Sequence, residues 1–278
     1  MAIRLFGEKF SNPVFLASGV YGYGLDFPEV AEEAGALFTK GISIKPRAGN
    51  PPPRIVEVTG GIVNSIGLEN VGIDAFLKKI LPKLKKLKAK IFVNIAGNTI
   101  EEYCQLARAL GDEVNGIELN ISCPNVRNGL IFGQDPRMTK RVVAKVRRAT
   151  KLPLVVKLTP NFCNIVAVAR AAQDSGADGI SLINTVHGMV FDICRKKPVI
   201  VGGLSGPAIK PFALYCVYRI KDAVRLPIIA MGGIMTGRDA YEFILAGAKA
   251  VALGSVCIVN PYAPLKIIRE LEELMKRK

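Results

Sequence analysis

Cys123 stands in the run Asn120-Ile121-Ser122-Cys123-Pro124-Asn125, beside two amides and directly before a proline. An inert core cysteine is not expected among Asn, Ser and Pro in a loop. A thiol in such a setting can take up and release a proton near neutral pH, its pKa set by local donors. The other cysteines (104, 163, 194, 216 and 257) are scattered with no Cys-x-x-Cys pair, which argues against a zinc site or iron–sulfur cluster carried by this chain. Most of them lie in apolar stretches and read as small core residues. The single histidine, His187, two residues past Thr185, is a competing acid–base candidate. Lys40 and Lys157 each end a short apolar run, and burying two ammonium groups calls for an anionic or electron-accepting ligand between them. Lysines that snorkel to solvent are the bland alternative.

These residues share a position in a repeated pattern. Short β-branched runs at 14–17, 36–39, 91–95, 116–120, 154–158, 179–183, 227–230 and 250–253 alternate with amphipathic segments such as 101–110, 138–150, 165–175, 209–224, 238–246 and 264–277. Strands buried on both faces and separated by helices form parallel β/α units. Eight units in 278 residues match a (β/α)8 barrel. A doubly wound open sheet is the alternative and does not normally need all eight repeats. No low-complexity linker divides the chain, so the expectation is one domain over residues 1–278, with a small hairpin lid inserted at about 45–67.

In such a barrel the site lies where the strands end. Those ends read Ser18-Gly19, Lys40-Gly41, Asn94, Asn120, Lys157, Asn184-Thr185, Gly232-Gly233 and Gly254-Ser255. One or two polar ends would mean little, but a full ring of lysine, amide, hydroxyl and glycine predicts one shared polar site. Glycines there, with Gly203 and Gly206 nearby, let backbone N–H groups approach an anion, so a phosphorylated cofactor is expected at the last two strands. No Gly-x-Gly-x-x-Gly turn follows the first strand, against a Rossmann nucleotide site.

Half the residues are hydrophobic and 22% are charged, so a sizeable core is assured. The longest apolar runs are far too short for a membrane span, and the N-terminus lacks a signal-peptide pattern, so the expectation is a cytoplasmic protein that uses no membrane. The net charge of +15 is concentrated around Lys78–Lys90, where Ile80, Leu81, Leu84 and Leu87 recur at helical spacing. A solvated lysine-rich helix face accounts for it, and a nucleic-acid or partner surface is the sharper alternative.

Taken in order, Thr39-Lys40-Gly41, the run from Asn64 through Ser65, Ile66, Gly67, Leu68 and Glu69 to Asn70, the Asn120–Asn125 run, Lys157-Leu158-Thr159-Pro160, Asn184-Thr185 and Gly202-Gly203-Leu204-Ser205-Gly206 resemble class 1 dihydroorotate dehydrogenases over nearly the whole chain. The resemblance implies an FMN-binding (β/α)8 barrel that oxidises dihydroorotate to orotate. It makes Cys123 the base that removes the C5 proton, with hydride passing from C6 to N5 of FMN. Lys40, Asn64, Asn120, Asn125, Asn184 and Thr185, with Ile66, Gly67 and Leu68, would hold the substrate. Ser18, Gly19, Lys40, Gly41, Asn94, Asn120, Lys157 and Ile183 would contact the flavin and ribityl parts. Gly206, Gly232, Gly233, Gly254 and Ser255 would take its phosphate.

The stretch from Asn184 to Asp192, Arg195-Lys196-Lys197-Pro198 and Val259-Asn260-Pro261-Tyr262 is similar to type 1B members. That implies a homodimer within a heterotetramer, whose second subunit carries FAD and an iron–sulfur cluster and passes electrons to NAD. Two other readings stay open at this point. One is a tRNA-dihydrouridine synthase, which the usual Asn-x-Gly-Cys-Pro of that family and its extra RNA-binding domain speak against. The other is a barrel of different chemistry or a silent scaffold, which would bind no flavin.

Overall fold

A computed structural model of the chain describes residues 1–122, 129–161 and 163–276. Eight parallel strands form a closed barrel: β1 (Val14–Leu16), β2 (Ala36–Phe38), β3 (Ile91–Ile95), β4 (Gly116–Asn120), β5 (Leu154–Lys157), β6 (Gly179–Leu182), β7 (Ile228–Ala230) and β8 (Ala250–Leu253). Neighbours in sequence are neighbours in the barrel, and β8 closes onto β1 through Val251–Val14, Ala252–Phe15 and Leu253–Leu16. Each strand lies within one residue of its sequence-predicted bounds. At β7 the start moves from Pro227 to Ile228 because proline has no N–H to donate, although its carbonyl still accepts from Ile180 N.

Side chains alternate along every strand. Val14, Leu16, Leu37, Val93, Ile117, Leu119, Val156, Ile180 and Leu182 point outward into the main core against the helices. Phe15, Phe38, Phe92, Val155, Ile229, Ala250 and Ala252 point inward and form a second cluster within the barrel. The helices between strands match the predicted segments, from Ile100–Leu110 after β3 to Ala263–Lys276 after β8. Among the described residues, no helix is long and apolar enough to cross a membrane.

Three features depart from the sequence expectation. An N-terminal hairpin, Ile3–Leu5 with Glu8–Phe10, closes the barrel floor, its Phe10 ring 5.2 Å from Phe15 and its turn residue Phe6 5.8 Å from Phe92. The expected hairpin near residues 55–64 is present as Ile55–Val58 and Gly61–Asn64. It belongs to a four-stranded antiparallel sheet completed by Lys197–Ser205 and Val186–Asp192. The lysine-rich segment is helical from Gly72 to Leu84, with a wide π turn at Phe76–Ile80. Pro82 explains the turn: it lacks an N–H and its ring would clash with the Lys78 carbonyl in a regular helix. Phe76, Leu81 and Leu84 are buried while Lys78, Lys79, Lys83, Lys85, Lys86 and Lys88 are exposed, the solvated face that the spacing predicts.

Candidate active site

At the C-terminal ends of the strands, under the lid sheet, lies a cavity of about 350 Å³. Inward positions on β3, β4 and β5 feed it through Asn94, Asn120 and Lys157, with Glu118 and Ser181 buried just beneath, because each strand buries a side chain of the same parity two residues deeper. Phe92 is followed by Asn94, Gly116 by Glu118 and then Asn120, Val155 by Lys157, and Gly179 by Ser181. The strand that carries an apolar residue at the floor thus delivers a polar one to the mouth.

The cavity wall brings together Ser18, Gly19, Lys40, Gly41, Asn64, Ile66, Leu68, Asn94, Asn120, Lys157, Ile183, Asn184, Thr185, Gly232, Gly233, Gly254 and Ser255. Of the sequence candidates, Gly67 and Gly206 do not line it. Gly67 packs against Asn50, whereas Gly206 stands behind Gly233 with its carbonyl 2.8 Å from the point a Gly233 Cβ would occupy. Gly203 is a residue of the strand Lys197–Ser205, and its carbonyl accepts from Asn64 Nδ2 at 3.0 Å. Cys123 and Asn125 lie outside the described residues. His187 is on the exposed side of the strand Val186–Asp192 and does not line the cavity; its backbone N–H donates to Asn161 Oδ1 at 2.9 Å.

Lys157 is nearly buried, and its Nζ donates to Ser18 Oγ at 2.9 Å, with Glu118 Oε2 3.9 Å away. Lys40, on the opposite side, is partly exposed and sits 3.6 Å from Glu69 Oε2. The two ammonium groups therefore face the cavity in different states. One is held in the barrel interior, and the other lies at the partly exposed rim beside Glu69. Asn94 Nδ2 donates to Glu118 Oε2 at 2.6 Å, Asn120 Nδ2 to Asn94 Oδ1 at 3.2 Å, and Asn184 Nδ2 to Ser122 Oγ at 2.9 Å.

The glycine end of the mouth has little room for side chains. Gly232 and Gly233 have φ of 126° and 72°, which β-carbon-bearing residues rarely adopt, and a Gly233 Cβ would stand 2.8 Å from Lys210 N. Gly254, by contrast, faces open space. Behind these loops, Lys210 pairs with Asp239 and with Glu242 (2.8 Å), tying the helix after β6 to the helix after β7. Burial alone would lower the Lys210 pKa, but hydrogen bonds to Asp239 and Glu242 outweigh it and raise the value; Asp239, also partly buried, is held below the usual carboxylate range by Lys210 and by N–H and O–H donors at Met235 and Thr236.

Several lining residues escaped the sequence reading, among them Val20, Ile62, Glu69, Ser205, Met231 and Ile258. Glu118 escaped it too, although it shares parity with Asn120 on β4, a signal that would have found it. Of the five cysteines in described positions, Cys104, Cys216 and Cys257 are buried as expected, Cys163 is half-buried, and Cys194 is exposed in the turn between the last two lid strands. Burial pushes the Cys216 thiol up to about 11 and the Cys257 thiol up to about 12, so neither is a ready nucleophile.

Comparison with known proteins agrees with this geometry. The model of the family described as dihydroorotate dehydrogenase matches residues 1–275. The chain is 50% identical to a protein of Geobacter sp. (strain M21) named dihydroorotate dehydrogenase B (NAD(+)), catalytic subunit, over 99% of this chain and 93% of that one. It is also 50% identical to the protein of the same name in Alkaliphilus metalliredigens (strain QYMF), over 100% of this chain and 94% of the other. A crystal structure of DHODH in complex with ferulenol from Eimeria tenella has the same fold, with a TM-score of 0.83 at 23% identity, over 99% of this chain and 84% of that chain. The chain belongs to the dihydroorotate dehydrogenase family.

Proposed function

We propose that the chain oxidises (S)-dihydroorotate to orotate in de novo pyrimidine (UMP) biosynthesis, as the FMN-bearing catalytic subunit of a type 1B enzyme. The observation that carries this reading is the composition of the cavity wall, which combines amides, a partly exposed lysine, a buried lysine and bare glycine backbone. Amides match the donors and acceptors of a pyrimidine ring without adding charge, and Lys40 supplies charge for its carboxylate.

The residues present suit FMN. A Cβ at Gly233 would collide with backbone, so that loop holds only glycine-like surface for a phosphate, and Gly254 leaves the space beside it open. Gly232, Gly233, Gly254 and Ser255 would take the phosphate, with Gly206 behind Gly233. Ser18, Gly19, Lys40, Gly41, Asn94, Asn120, Lys157 and Ile183 would take the ring and ribityl chain. When bound, FMN supplies the two-electron acceptor for the hydride leaving C6.

The chain's own residues do the rest. Lys40, Asn64, Asn120, Asn125, Asn184 and Thr185, with the backbone at Ile66 and Leu68, orient the substrate ring. The Cys123 thiolate takes the C5 proton, and the pair from that C–H bond becomes the C5–C6 double bond of orotate. The lid sheet excludes water by laying Ile55 and Ile62 against the cavity.

The whole chain, residues 1–278, serves as one FMN-binding barrel domain acting in the cytoplasm, with no nucleic acid or membrane as partner. It works as a homodimer within a heterotetramer whose other subunit carries FAD and an iron–sulfur cluster and relays electrons to NAD. Exposed apolar side chains support protein partners: Met189, Phe191, Val199 and Val201 on the lid hairpin, Phe212, Tyr215 and Tyr218 on the helix Lys210–Ile220, and Val259 and Tyr262 near the mouth. An anaerobic titration tests the reading. Dihydroorotate should bleach the flavin absorbance of the purified protein stoichiometrically, and a colourless protein or an unbleached flavin would reject it.

A further inference from the structure

Glu118 is a fully buried carboxylate at an inward position of β4, with no role in the proposed chemistry. Its Oε1 accepts from Ser181 Oγ at 2.7 Å and its Oε2 from Asn94 Nδ2 at 2.6 Å. A carboxylate can only accept, so the Asn94 amide must turn its nitrogen toward Glu118 and its oxygen away. That oxygen accepts from Asn120 Nδ2 at 3.2 Å. The Asn120 oxygen is in turn fixed, accepting from Ser122 Oγ at 3.2 Å, and Ser122 Oγ accepts from Asn184 Nδ2 at 2.9 Å. Thr185 N donates to Asn184 Oδ1 at 2.8 Å and completes the series.

Every bond in this chain points the same way, toward Glu118. Bonds polarised in series reinforce one another in a low-dielectric interior, and one charged terminus can set the sense of all of them. The consequence for the cavity is chemical. Each of the three asparagine oxygens is engaged within the chain, and Asn120 Oδ1 accepts twice, from Ser122 N and Ser122 Oγ, while the second N–H of Asn94 and of Asn120 is left to offer a ligand.

We propose that Glu118 is a positioning residue whose charge fixes the orientation of Asn94, Asn120, Ser122 and Asn184, so that the mouth presents amide donors and selects ligands bearing carbonyl or carboxylate acceptors. This rests on the proposed site and deepens it: orotate, with two ring carbonyls and a carboxylate, is the acceptor-rich ligand such a surface takes. Glu118→Gln is the sharp test, because its carboxamide keeps shape and volume but can face Asn94 with either a donor or an acceptor.

Two readouts on the FMN-loaded protein decide the matter. The side-chain amide resonances of Asn94, Asn120 and Asn184 should all move in Glu118→Gln, and the orotate Kd, read from the flavin spectrum, should rise about tenfold, roughly 1.4 kcal/mol. A perturbation confined to Asn94, or an unchanged orotate Kd beside a merely lowered Tm, would overturn the proposal and leave Glu118 a structural residue. The amide readout needs no substrate. A wild-type protein blind to orotate, whose variant still shifts all three amides, would sink the proposed function and leave the role of Glu118 standing.

Discussion

At the floor of the barrel, Phe10, Phe15, Phe38 and Phe92 meet in tilted and edge-on contacts, with ring centroids 5.2 to 6.2 Å apart. Two residues further along the same strands, the inward positions become Lys40 after Phe38 and Asn94 after Phe92. Both ends obey one alternation and differ only in which residue occupies the inward slot. The difference separates the tasks: a close-packed aromatic floor holds the strands, and the mouth is left polar and partly unfilled for ligands. Substitutions at the two ends should therefore fail in different measurements.

The largest effect on stability is expected at the floor. Phe92→Ala removes a buried ring that contacts three aromatic neighbours, Phe6, Phe10 and Phe38, and should cost about 3–5 kcal/mol, lowering Tm by on the order of 10 °C. Flavin reduction by dihydroorotate at 25 °C should stay close to wild type; a collapse of that rate with Tm intact would break the division of tasks. At the mouth, Lys40→Ala should do the reverse. Its side chain is 27% exposed and its pairing with Glu69 is long, so Tm should hardly move. kcat/KM for dihydroorotate should fall on the order of 100-fold, as for loss of one preorganised charge contact.

A smaller effect concerns the bracket behind the glycine loops. Lys210 has a raised pKa and Asp239 a lowered one, so the pair stabilises the fold only while both are charged. The Lys210 contribution is present below the ordinary lysine pKa and lost as pH rises through its elevated value. The Asp239 contribution is present above the ordinary carboxylate pKa and lost as pH falls through its depressed value. Lys210→Met should thus lose roughly 1–2 kcal/mol across neutral pH, with the gap from wild type closing below about pH 4 and above about pH 10.5. Thermal melts across pH give the comparison, and a pH-independent gap would show that packing dominates. The smallest effect is inertness: at pH 8, native labelling should modify Cys194 rapidly and leave Cys104, Cys216 and Cys257 unmodified until the protein unfolds.

Much of the barrel was legible in the sequence because β-branched runs bounded by turn residues recur eight times, and the residues ending those runs are the ones that line the cavity. The second lid hairpin was not. In Val186–Asp192 both parities are apolar, His187 apart: Val186 and Val190 on one face, Met189 and Phe191 on the other. The period of two disappears, and the strand Gly61–Asn64, which pairs with the hairpin's second strand Lys197–Ser205, lies more than a hundred residues away. Glu118 shares parity with Asn120, which marks it as inward, but its partners Asn94, Lys157 and Ser181 sit on three other strands, so no local spacing announces the network. The aromatic floor hairpin was hidden in a three-residue alternation too short to stand out.

The central claim, that this mouth carries out proton and hydride removal on dihydroorotate with Cys123 as base, has a direct test in stopped-flow reduction of the Cys123→Ala variant. The variant should retain FMN and bind orotate with near wild-type affinity, yet reduce its flavin with dihydroorotate slower by about 10²–10⁴-fold at neutral pH. Wild-type reduction rates in a variant that binds orotate normally would contradict the account.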